Sequence, residues 1–383
     1  MKILHVIDTC NPKTGGPIEG IKQLNYFYLK NKIYSEILSN DTQKSIKKFK
    51  KNLPKINPVG PKFSIYSINY SLIKWLKKNV KRFDCIIVHG LWHYHNYAVW
   101  KIAKSTNIPY FVFSHGSLDP WFNYTYPLKF FKKKIFWFLF QKKFLEFSKS
   151  ILFTSLIEKK LAMKAFNFSN IKPQIVKYGI IGNPIKKKFN FIKNKKKKIF
   201  LSKKKILLYL GRVQEKKGID ILIKSFIKLQ NKKKNYLLVI CGPTIPIYQK
   251  YLKSLIPKNK NSEIIFLNPL YHNDKWRLLN SSFVFCSPSH QENFGISIVE
   301  ALSSKIPVIT TTQVNIYKKI KNYKAGLISK DNYNSFTNIL NSFLKKNNND
   351  YLKMSANAYK CFNNEFNAKN FYNSFIKIIK SKK

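Results

Sequence analysis

The chain has 383 residues and carries 71 Lys and Arg against 17 Asp and Glu, a formal net charge of +54. Since a domain holds roughly 100–200 residues, this length predicts two domains. Hydrophobic residues at 44% and aromatic residues at 15% exclude a disordered chain, whose apolar surface would be too small to offset the entropy of folding. The charge predicts attraction to polyanions such as phosphate-rich substrates, nucleic acid or an anionic membrane surface. The alternative is that the charge reflects a compositional bias towards Lys and Asn without a functional role.

The five cysteines are far apart and form neither a disulfide framework nor a zinc-binding spacing. This usage predicts a reducing, cytoplasmic compartment. The N-terminal residues 1–8 lack the long apolar run of a signal peptide and are interpreted as a first strand. No stretch reaches the roughly 18 apolar residues of a spanning helix, so we expect a soluble or peripheral protein.

Short apolar runs alternate with stretches of helical period, a pattern typical of parallel βαβ units with strands buried on both faces. Two sets of such runs predict two parallel sheets. The first set comprises Ile3–Ile7, Cys85–Val88 and Tyr110–Phe113. The second comprises Ile206–Leu210, Tyr236–Ile240, Ile264–Phe266, Phe283–Phe285 and Val308–Thr310.

The segment 184–205 separates the two sets and contains eleven lysines and no acidic residue. Because such a segment repels itself and cannot enter a core, it predicts a linker between a first domain at 1–183 and a second at 206–365. The last residues, 366–383, carry Phe371, Phe375, Ile378 and Ile379 on one helical stripe, which predicts a helix that docks on an apolar surface.

A glycine pair follows the first strand. Gly15 and Gly16 stand between Asp8 and a predicted helix that starts near Ile18. In open α/β sheets ligands bind beyond the carboxyl ends of strands, where glycines let backbone N–H groups approach a phosphate at a helix N-terminus. An ordinary glycine turn is the alternative.

A similar loop follows the strand Ile206–Leu210 and carries two cations, Arg212 and Lys217, between Gly211 and Gly218. A guanidinium offers a bidentate fork to phosphate oxygens and an ammonium offers a compact charge, so the pair suits a diphosphate. The alternative is a chance pair in a chain rich in basic residues.

Two carboxylates, Glu292 and Glu300, surround the turn formed by Phe294, Gly295 and Ile296. If a helix begins near Gly295, Glu292 precedes its N-terminus and Glu300 lies about one and a half turns inside it. Such carboxylates accept hydrogen bonds from sugar hydroxyls, and the backbone N–H groups of 294–296 can bind phosphate or sugar oxygens. A helix cap and a solvated helix acid are the alternative.

Two further segments belong to the first half. The segment 89–95 holds His89, Trp92 and His93, for which acceptor contact or packing is favoured over a metal site. The segment 129–143 holds six lysines and six aromatic residues. It predicts either a helix at an anionic lipid interface or a core helix with a solvated lysine face.

Together, these motifs resemble those of the retaining glycosyltransferases of family four. The resemblance rests on Gly15-Gly16, the segment 114–121, the loop 211–218, the motif 292–300 and their order along nearly the whole chain. Lys305 and Asn268 stand where that family usually has glycine. The resemblance implies the GT-B fold: two Rossmann-like domains facing across a cleft, with the C-terminal helix returning to the first domain.

The resemblance also implies roles for single residues. Arg212 and Lys217 would stabilise the diphosphate leaving group without a metal ion, in agreement with the chemistry of their loop. Glu300 would hold the ribose, Glu292 the donor sugar, and His115 would lie at the reaction centre. The acceptor side would include four residues of the first domain, His89, Trp92, His93 and Asp119.

We therefore expect a retaining, metal-independent hexosyltransferase that moves a sugar from a nucleotide-diphospho-sugar to a saccharide acceptor. A lipid-linked acceptor and a role in capsule, lipopolysaccharide or exopolysaccharide synthesis fit a cytoplasmic enzyme peripheral on the inner face of the membrane. No cofactor and no nucleic acid partner are expected. The alternative is a protein that binds nucleic acid or another polyanion on a GT-B-like scaffold without catalysis.

Overall fold

The computed structural model describes residues 1–12, 15–47, 52–125, 127–166, 168, 170–188, 204–230, 235–260 and 263–381. The chain forms two compact units. The first comprises Met1–Gly179 and Ala368–Lys383, and the second comprises Ile180–Asn367.

The first unit is built on a parallel sheet of seven strands in the order β3-β2-β1-β4-β5-β6-β7. The strands are β1 (Lys2–Ile7), β2 (Tyr34–Ser39), β3 (Lys55–Pro58), β4 (Cys85–His89), β5 (Tyr110–Phe113), β6 (Ser150–Phe153) and β7 (Pro173–Ile175). The three strands predicted from the sequence, β1, β4 and β5, are neighbours at its centre. They are buried on both faces because helices cover both sides of a parallel sheet.

The helices of the first unit connect successive strands, as parallel crossovers require. They are α1 (Gly16–Lys30), α2 (Gln43–Ile46), α3 (Ser71–Asn79), α4 (Tyr94–Thr106), α5 (Trp121–Thr125), α6 (Pro127–Phe136), α7 (Lys142–Phe147) and α8 (Leu156–Ala165). A π-helical stretch, Trp137–Gln141, joins α6 to α7.

The second unit repeats the plan with a parallel sheet of six strands in the order β10-β9-β8-β11-β12-β13. Its strands are β8 (Lys205–Leu210), β9 (Tyr236–Cys241), β10 (Ile264–Leu267), β11 (Ser282–Ser287), β12 (Val308–Thr311) and β13 (Gly326–Ser329). Its helices are α9 (Ile219–Gln230), α10 (Pro246–Ser254), α11 (His272–Asn280), α12 (Ile296–Ser303), α13 (Tyr317–Asn322), α14 (Tyr333–Leu344) and α15 (Asn348–Cys361).

The C-terminal helix α16 (Ala368–Ser381) belongs to the first unit. Phe375 packs on Phe113 of β5 at a ring separation of 5.9 Å, and Phe371 lies 4.4 Å from the ring of Tyr178. The helix buries Phe371, Phe375 and Ile379 of the predicted stripe, together with Ile376. The amphipathic pattern thus located the helix, and the contacts show which surface it covers.

The change from the first unit to the second falls at residue 180, ahead of the lysine-rich segment predicted as the linker. Ile180 is buried in the second unit, where its N–H donates to the carbonyl of Phe366 at 2.8 Å. Asn183 donates to Asn280 at 2.6 Å. The chain has therefore joined the second unit before the lysines begin, and residues 189–203 of the predicted linker lie outside the described residues.

Within the described part of the chain, every helix is too short or too polar to cross a lipid bilayer.

Candidate active site

Two loops of the second unit meet where β8 and β11, neighbouring strands of its sheet, end. The first loop carries Gly218 with φ of +62°, and a Cβ there would lie 2.1 Å from the carbonyl oxygen of Pro288 in the second loop. The N–H of His290 donates to the carbonyl of Lys216 at 2.9 Å. Glycine is therefore required at 218 by both conformation and space, and it lets the two loops lie against each other.

The contact between these loops pairs Lys217 with Glu292. The buried ammonium of Lys217 donates to Oε2 of Glu292. Burial acts to raise the pKa of Glu292, but Lys217, with Lys216 and Arg212 nearby, outweighs it and leaves the pKa below its ordinary value. Glu292 is therefore an ionised hydrogen-bond acceptor at neutral pH.

Arg212 lies half-buried in the same loop, directly after Gly211. The hydroxyl of Tyr209 donates to the backbone carbonyl of Arg212 at 2.7 Å and fixes this part of the loop. Within the described residues, the guanidinium of Arg212 forms no ion pair, whereas Lys217 is already engaged. Arg212 is thus a cation available to an anionic ligand.

The helix α12 starts beside Glu292, as the sequence predicted. Gly295 caps it with φ of +73°, and a Cβ there would lie 2.7 Å from Cδ1 of Ile298. Phe294 is buried against the ring of Phe366 at 5.8 Å and anchors the turn. The first backbone N–H groups of the helix, beginning at Ile296, have no partner within the helix and can meet an oxygen of a ligand.

Glu300 lies in the second turn of α12, where it is buried and paired with Lys275 of α11 at 2.5 Å. Sequence reasoning missed Lys275 because nothing in the spacing of α11 distinguishes one lysine among so many. The structure therefore gives each of the two predicted carboxylates its own lysine partner.

The predicted glycine pair of the first unit stands at the start of α1. Gly15 caps this helix with φ of +115°, and Gly16 is its first residue. Lys13 and Thr14 of the same loop lie outside the described residues. The described glycines therefore have the strand-to-helix placement that the sequence predicted.

His115 follows β5 in a turn with left-handed backbone, φ of +48° at His115 and +76° at Gly116. The buried carboxylate of Glu158 holds this turn. It accepts from the Ser114 hydroxyl at 2.7 Å and the Gly116 N–H at 2.8 Å through one oxygen, and from the N–H and hydroxyl of Thr154 at 2.7 Å through the other. Glu158 was not singled out from the sequence, where a helical glutamate carries no sign of burial.

The residues predicted for the acceptor side occupy different surroundings. His89 is buried, and its ring nitrogens contact His5 at 3.0 Å and His115 at 3.1 Å. The structure thus places His89 behind His115, where it has no exposed ring nitrogen for an acceptor. The indole of Trp92 donates to the carbonyl of Ser117 at 3.1 Å.

His93 caps α4 and lies 3.7 Å from the carboxylate of Asp8 at the end of β1. Burial would raise the pKa of Asp8, but hydrogen bonds from Lys62, Asn40 and Ser67 lower it to about 2. Asp119 is buried and accepts from the N–H of Trp121 at 2.9 Å. The described residues contain no group of three histidine, cysteine or acidic side chains placed to hold a metal ion.

Two features point to the class of protein: a Rossmann-like parallel sheet in each unit, and a cation-rich loop facing a glutamate before a helix. Residues 190–361 match the family of glycosyl transferases group 1, so the predicted resemblance to glycosyltransferases is confirmed, while the retaining mechanism stays a prediction. The fold is GT-B, as predicted.

Particular proteins of this class are similar to the chain. The capsular polysaccharide biosynthesis glycosyltransferase CapM of Staphylococcus aureus is 25% identical over 229 residues, which are 57% of this chain and 57% of CapM. The chain thus spans a little over half the length of this curated relative.

Among solved structures, Anabaena HepE in complex with UDP and glucose aligns over 100% of both chains with a TM-score of 0.76 and 15% identity. Sucrose-phosphate synthase of Thermosynechococcus elongatus has a TM-score of 0.77 and 14% identity over 99% of this chain and 98% of that one. At these identities the likeness concerns the fold.

Proposed function

We propose that the protein is a glycosyltransferase that transfers a sugar from a nucleotide-diphospho-sugar to a saccharide acceptor. The observation that carries this proposal is the cluster of Arg212, Lys217 and Glu292 at the carboxyl ends of β8 and β11, beside the N-terminus of α12. A nucleotide-sugar donor is also supported by HepE, a structural neighbour solved with UDP and glucose.

In this proposal the donor's diphosphate meets Arg212 and Lys217. Negative charge grows on the phosphate as the sugar leaves, and fixed cations stabilise that charge without reorganisation. Arg212 is available for bidentate contact, while Lys217 bridges the phosphate and Glu292. These two side chains take the role of neutralising the leaving group, so that no metal ion is required.

The carboxylates orient the rest of the donor. Glu292 is ionised and accepts from hydroxyls of the donor sugar, and the backbone of 294–296 binds its oxygens. Glu300 accepts from the ribose hydroxyls, with Lys275 fixing its orientation. Within the first unit, the N–H of Gly15 donates to the carbonyl of Pro12 at 3.3 Å, and the N–H of Gly16 at the start of α1 is proposed to meet a ligand oxygen.

The transfer is proposed to retain the anomeric configuration by a front-face route. The acceptor oxygen forms its bond to the anomeric carbon as the bond from that carbon to the phosphate oxygen breaks. The acceptor proton passes to the departing phosphate. Glu292 takes no covalent part, because Lys217 and the adjacent helix N-terminus stabilise it as an ionised acceptor.

The acceptor is proposed to be a lipid-linked saccharide of surface polysaccharide synthesis, as the capsular relative CapM suggests. A second observation supports a membrane location. The α6 helix and the π-helical stretch after it expose large apolar side chains at helical spacing, with Leu128 at 83%, Phe131 at 66% and Leu139 at 71% exposure. The opposite side packs into the core through Trp137, with Phe130 and Phe140 packed against the same core.

This exposed set, named here the aromatic-lysine face, comprises Leu128, Phe131, Ile135, Phe138 and Leu139 with the exposed lysines Lys132, Lys134 and Lys143. Apolar side chains can enter the lipid headgroup region while each lysine contributes about 1 kcal/mol of attraction to anionic lipid. We therefore propose that this face holds the protein on the inner surface of the cell membrane.

Vesicle flotation tests this location. Wild-type protein is expected to float with vesicles of phosphatidylcholine and phosphatidylglycerol, and Phe131→Ser/Leu139→Ser to remain in solution. Ile247→Ser, which removes a 77% exposed side chain from α10 of the second unit, is the matched control. Equal flotation of the double variant and the control would contradict the proposal.

A transfer assay tests the enzymatic proposal. Purified protein is incubated at high salt with uridine, guanosine or adenosine diphosphate sugars and a panel of lipid-linked saccharides. We expect one nucleotide class to release its nucleoside diphosphate and yield a product whose NMR couplings show retained configuration. Inversion would contradict the proposed route. Silence with every donor, together with tight binding to nucleic acid, would favour the polyanion-binding alternative.

A further inference from the structure

A line of four polar rings runs through the interior of the first unit. The hydroxyl of Tyr28 on α1 lies 3.3 Å from Nε2 of His5 on β1. Nδ1 of His5 lies 3.0 Å from Nε2 of His89 at the end of β4, and Nδ1 of His89 lies 3.1 Å from Nε2 of His115 after β5. Three hydrogen bonds thus connect a buried tyrosine to the predicted reaction-centre histidine.

The histidines of this line are neutral at physiological pH. Burial lowers the pKa of His5 and of His115 to about 3 and holds the pKa of His89 well below its ordinary value. A neutral imidazole has one N–H donor and one acceptor nitrogen. The three hydrogen bonds must therefore all point in the same direction along the line.

Two directions satisfy this rule. In one, Tyr28 donates to His5, His5 to His89 and His89 to Nε2 of His115. In the other, every proton is reversed and Tyr28 accepts. Within the described residues, no nitrogen or oxygen other than Nε2 of His5 lies within hydrogen-bonding distance of the Tyr28 hydroxyl.

The reversed direction would leave the Tyr28 O–H as a buried donor without a nitrogen or oxygen acceptor, an arrangement that folded proteins avoid. The forward direction gives an acceptor to the Tyr28 hydroxyl and to the N–H groups of His5 and His89. It leaves a single N–H, at Nδ1 of His115, where the ring is half-buried and has no other hydrogen-bond partner among the described residues.

We propose that Tyr28, His5 and His89 are positioning residues that hold His115 as the Nδ1–H tautomer, making it a hydrogen-bond donor to a substrate oxygen. That the oxygen belongs to a sugar substrate rests on the function proposed above. Glu158 fixes the backbone on both sides of His115, and the line of rings fixes the imidazole itself. His115 therefore stabilises an oxygen and does not serve as the base that accepts the acceptor's proton.

Nitrogen-15 NMR of the full chain labelled at its seven histidines reads the tautomer directly. The His115 signals are assigned by their loss in His115→Gln. We expect the proton on Nδ1 in the wild type. A proton on Nε2 of His115 would overturn the inference, and this reading needs no variant of the line to fold.

Tyr28→Phe removes the donor that sets the direction and is expected to give a mixture of His115 tautomers. Tyr372→Phe is the matched control, because that ring lies 6.4 Å from Tyr28 while its hydroxyl is outside the line. It should keep the single tautomer. Identical His115 signals in the two variants would show that Tyr28 sets no direction and would overturn the inference.

Kinetics separate this inference from the proposed function. Loss of one oriented hydrogen bond should lower kcat of Tyr28→Phe about two- to tenfold with the donor KM unchanged, while Tyr372→Phe stays at the wild-type rate. A fixed Nδ1–H tautomer without sugar transfer would contradict the proposed function alone. Sugar transfer by a protein with the Nε2–H tautomer would overturn this inference alone.

Discussion

The carboxylate of Glu158 determines the backbone geometry around His115. It is 4% exposed and accepts four hydrogen bonds, two from the residues that flank His115. The left-handed conformation of His115 is unfavourable for a residue with a Cβ, so it persists because the surroundings hold it. The role proposed for His115 therefore depends on a residue that need not contact the substrate.

Replacing this carboxylate tests that dependence. Glu158→Gln exchanges an acceptor oxygen for an NH2 group that faces donors. We expect a loss of about 1–3 kcal/mol of unfolding free energy in urea titrations and a lower kcat. Glu146→Gln, a half-buried glutamate of α7 paired with Lys142, is the control and should change stability by less than about 0.5 kcal/mol. Equal stabilities of the two variants would contradict the assigned role.

The pairing of Lys217 with Glu292 predicts a pH effect. In the wild type the pKa of Glu292 lies below its ordinary value, so the carboxylate stays ionised through the mildly acidic range and donor affinity should be flat from there to neutrality. Lys217→Met removes the main positive charge that opposes the effect of burial, so the pKa of Glu292 rises. Donor binding by calorimetry should then weaken as the pH falls through the raised pKa.

The control for this pH effect is Lys224→Met, which removes a lysine paired with Asp220 on the exposed side of α9. It should show the flat wild-type dependence. A Lys217→Met profile as flat as that of Lys224→Met would mean that the lysine does not set the ionisation of Glu292.

At this scale, sequence reasoning singled out the residues whose type is rare in the chain. Glu292 and Glu300 are conspicuous among 17 acids, and glycines mark the loops that carry Arg212 and Lys217. It missed Lys275 and Glu158 because their importance comes from burial and long-range contacts. Neither burial nor a long-range contact can be read from the sequence of a single helix.

At the scale of elements, the loops after β8 and β9 approach each other through backbone atoms. Gly242 has φ of +150°, and a Cβ there would lie 1.8 Å from the carbonyl oxygen of Gly211. That oxygen belongs to rigid backbone and cannot move aside. The position of Arg212, the next residue, therefore depends on the absence of a side chain at 242.

Gly242→Ala is expected to lower the unfolding free energy by roughly 3 kcal/mol or more, as expected when a side chain overlaps fixed backbone. Gly90→Ala is the control, since Gly90 has φ of +85° but nothing within 4 Å of a new Cβ, and should lose only about 1 kcal/mol. Urea titration measures both. Equal losses of unfolding free energy in the two variants would show that the close approach of the two loops does not affect stability.

The strands show which elements a sequence pattern can predict. The predicted runs are mostly apolar because their strands are largely buried by the helices on both faces of the sheets. β2 escaped prediction because it buries Ser35 and Glu36, the latter compensated by Arg82 at 2.7 Å. The edge strands β3, β7 and β13 are short, and β6 begins with a buried serine. These strands form because they pair with a neighbouring strand, and their own sequences carry no strong apolar pattern.

At the scale of the whole molecule, the net charge of +54 and the aromatic-lysine face together predict a distinctive response to salt. Raising salt screens the lysines but leaves the apolar contribution intact. We expect flotation of the wild type with anionic vesicles to weaken with salt while a fraction persists. Complete release at moderate salt would show that charge alone mediates binding.

The division of the chain into two units followed from its length and from two groups of apolar runs, and α16 from its amphipathic stripe. The boundary itself was not readable in the same way. Ile180 and Asn183 join the second unit through contacts with Phe366 and Asn280, which are remote in sequence. A run of charged residues shows that a segment lies outside the core. The boundary of a domain depends on contacts between residues that are remote in sequence.

The most direct test of the donor site is a thermal-shift series with uridine, guanosine and adenosine diphosphate sugars at high salt. A donor at 100 times its Kd adds about 2.7 kcal/mol to folding stability. We expect one nucleotide class to raise the Tm of the wild type and of Arg277→Ala, whose arginine pairs with Asp274 on α11, but not of Arg212→Ala. Equal stabilisation of Arg212→Ala, or no stabilisation by any donor, would contradict a donor site at Arg212, Lys217 and Glu292.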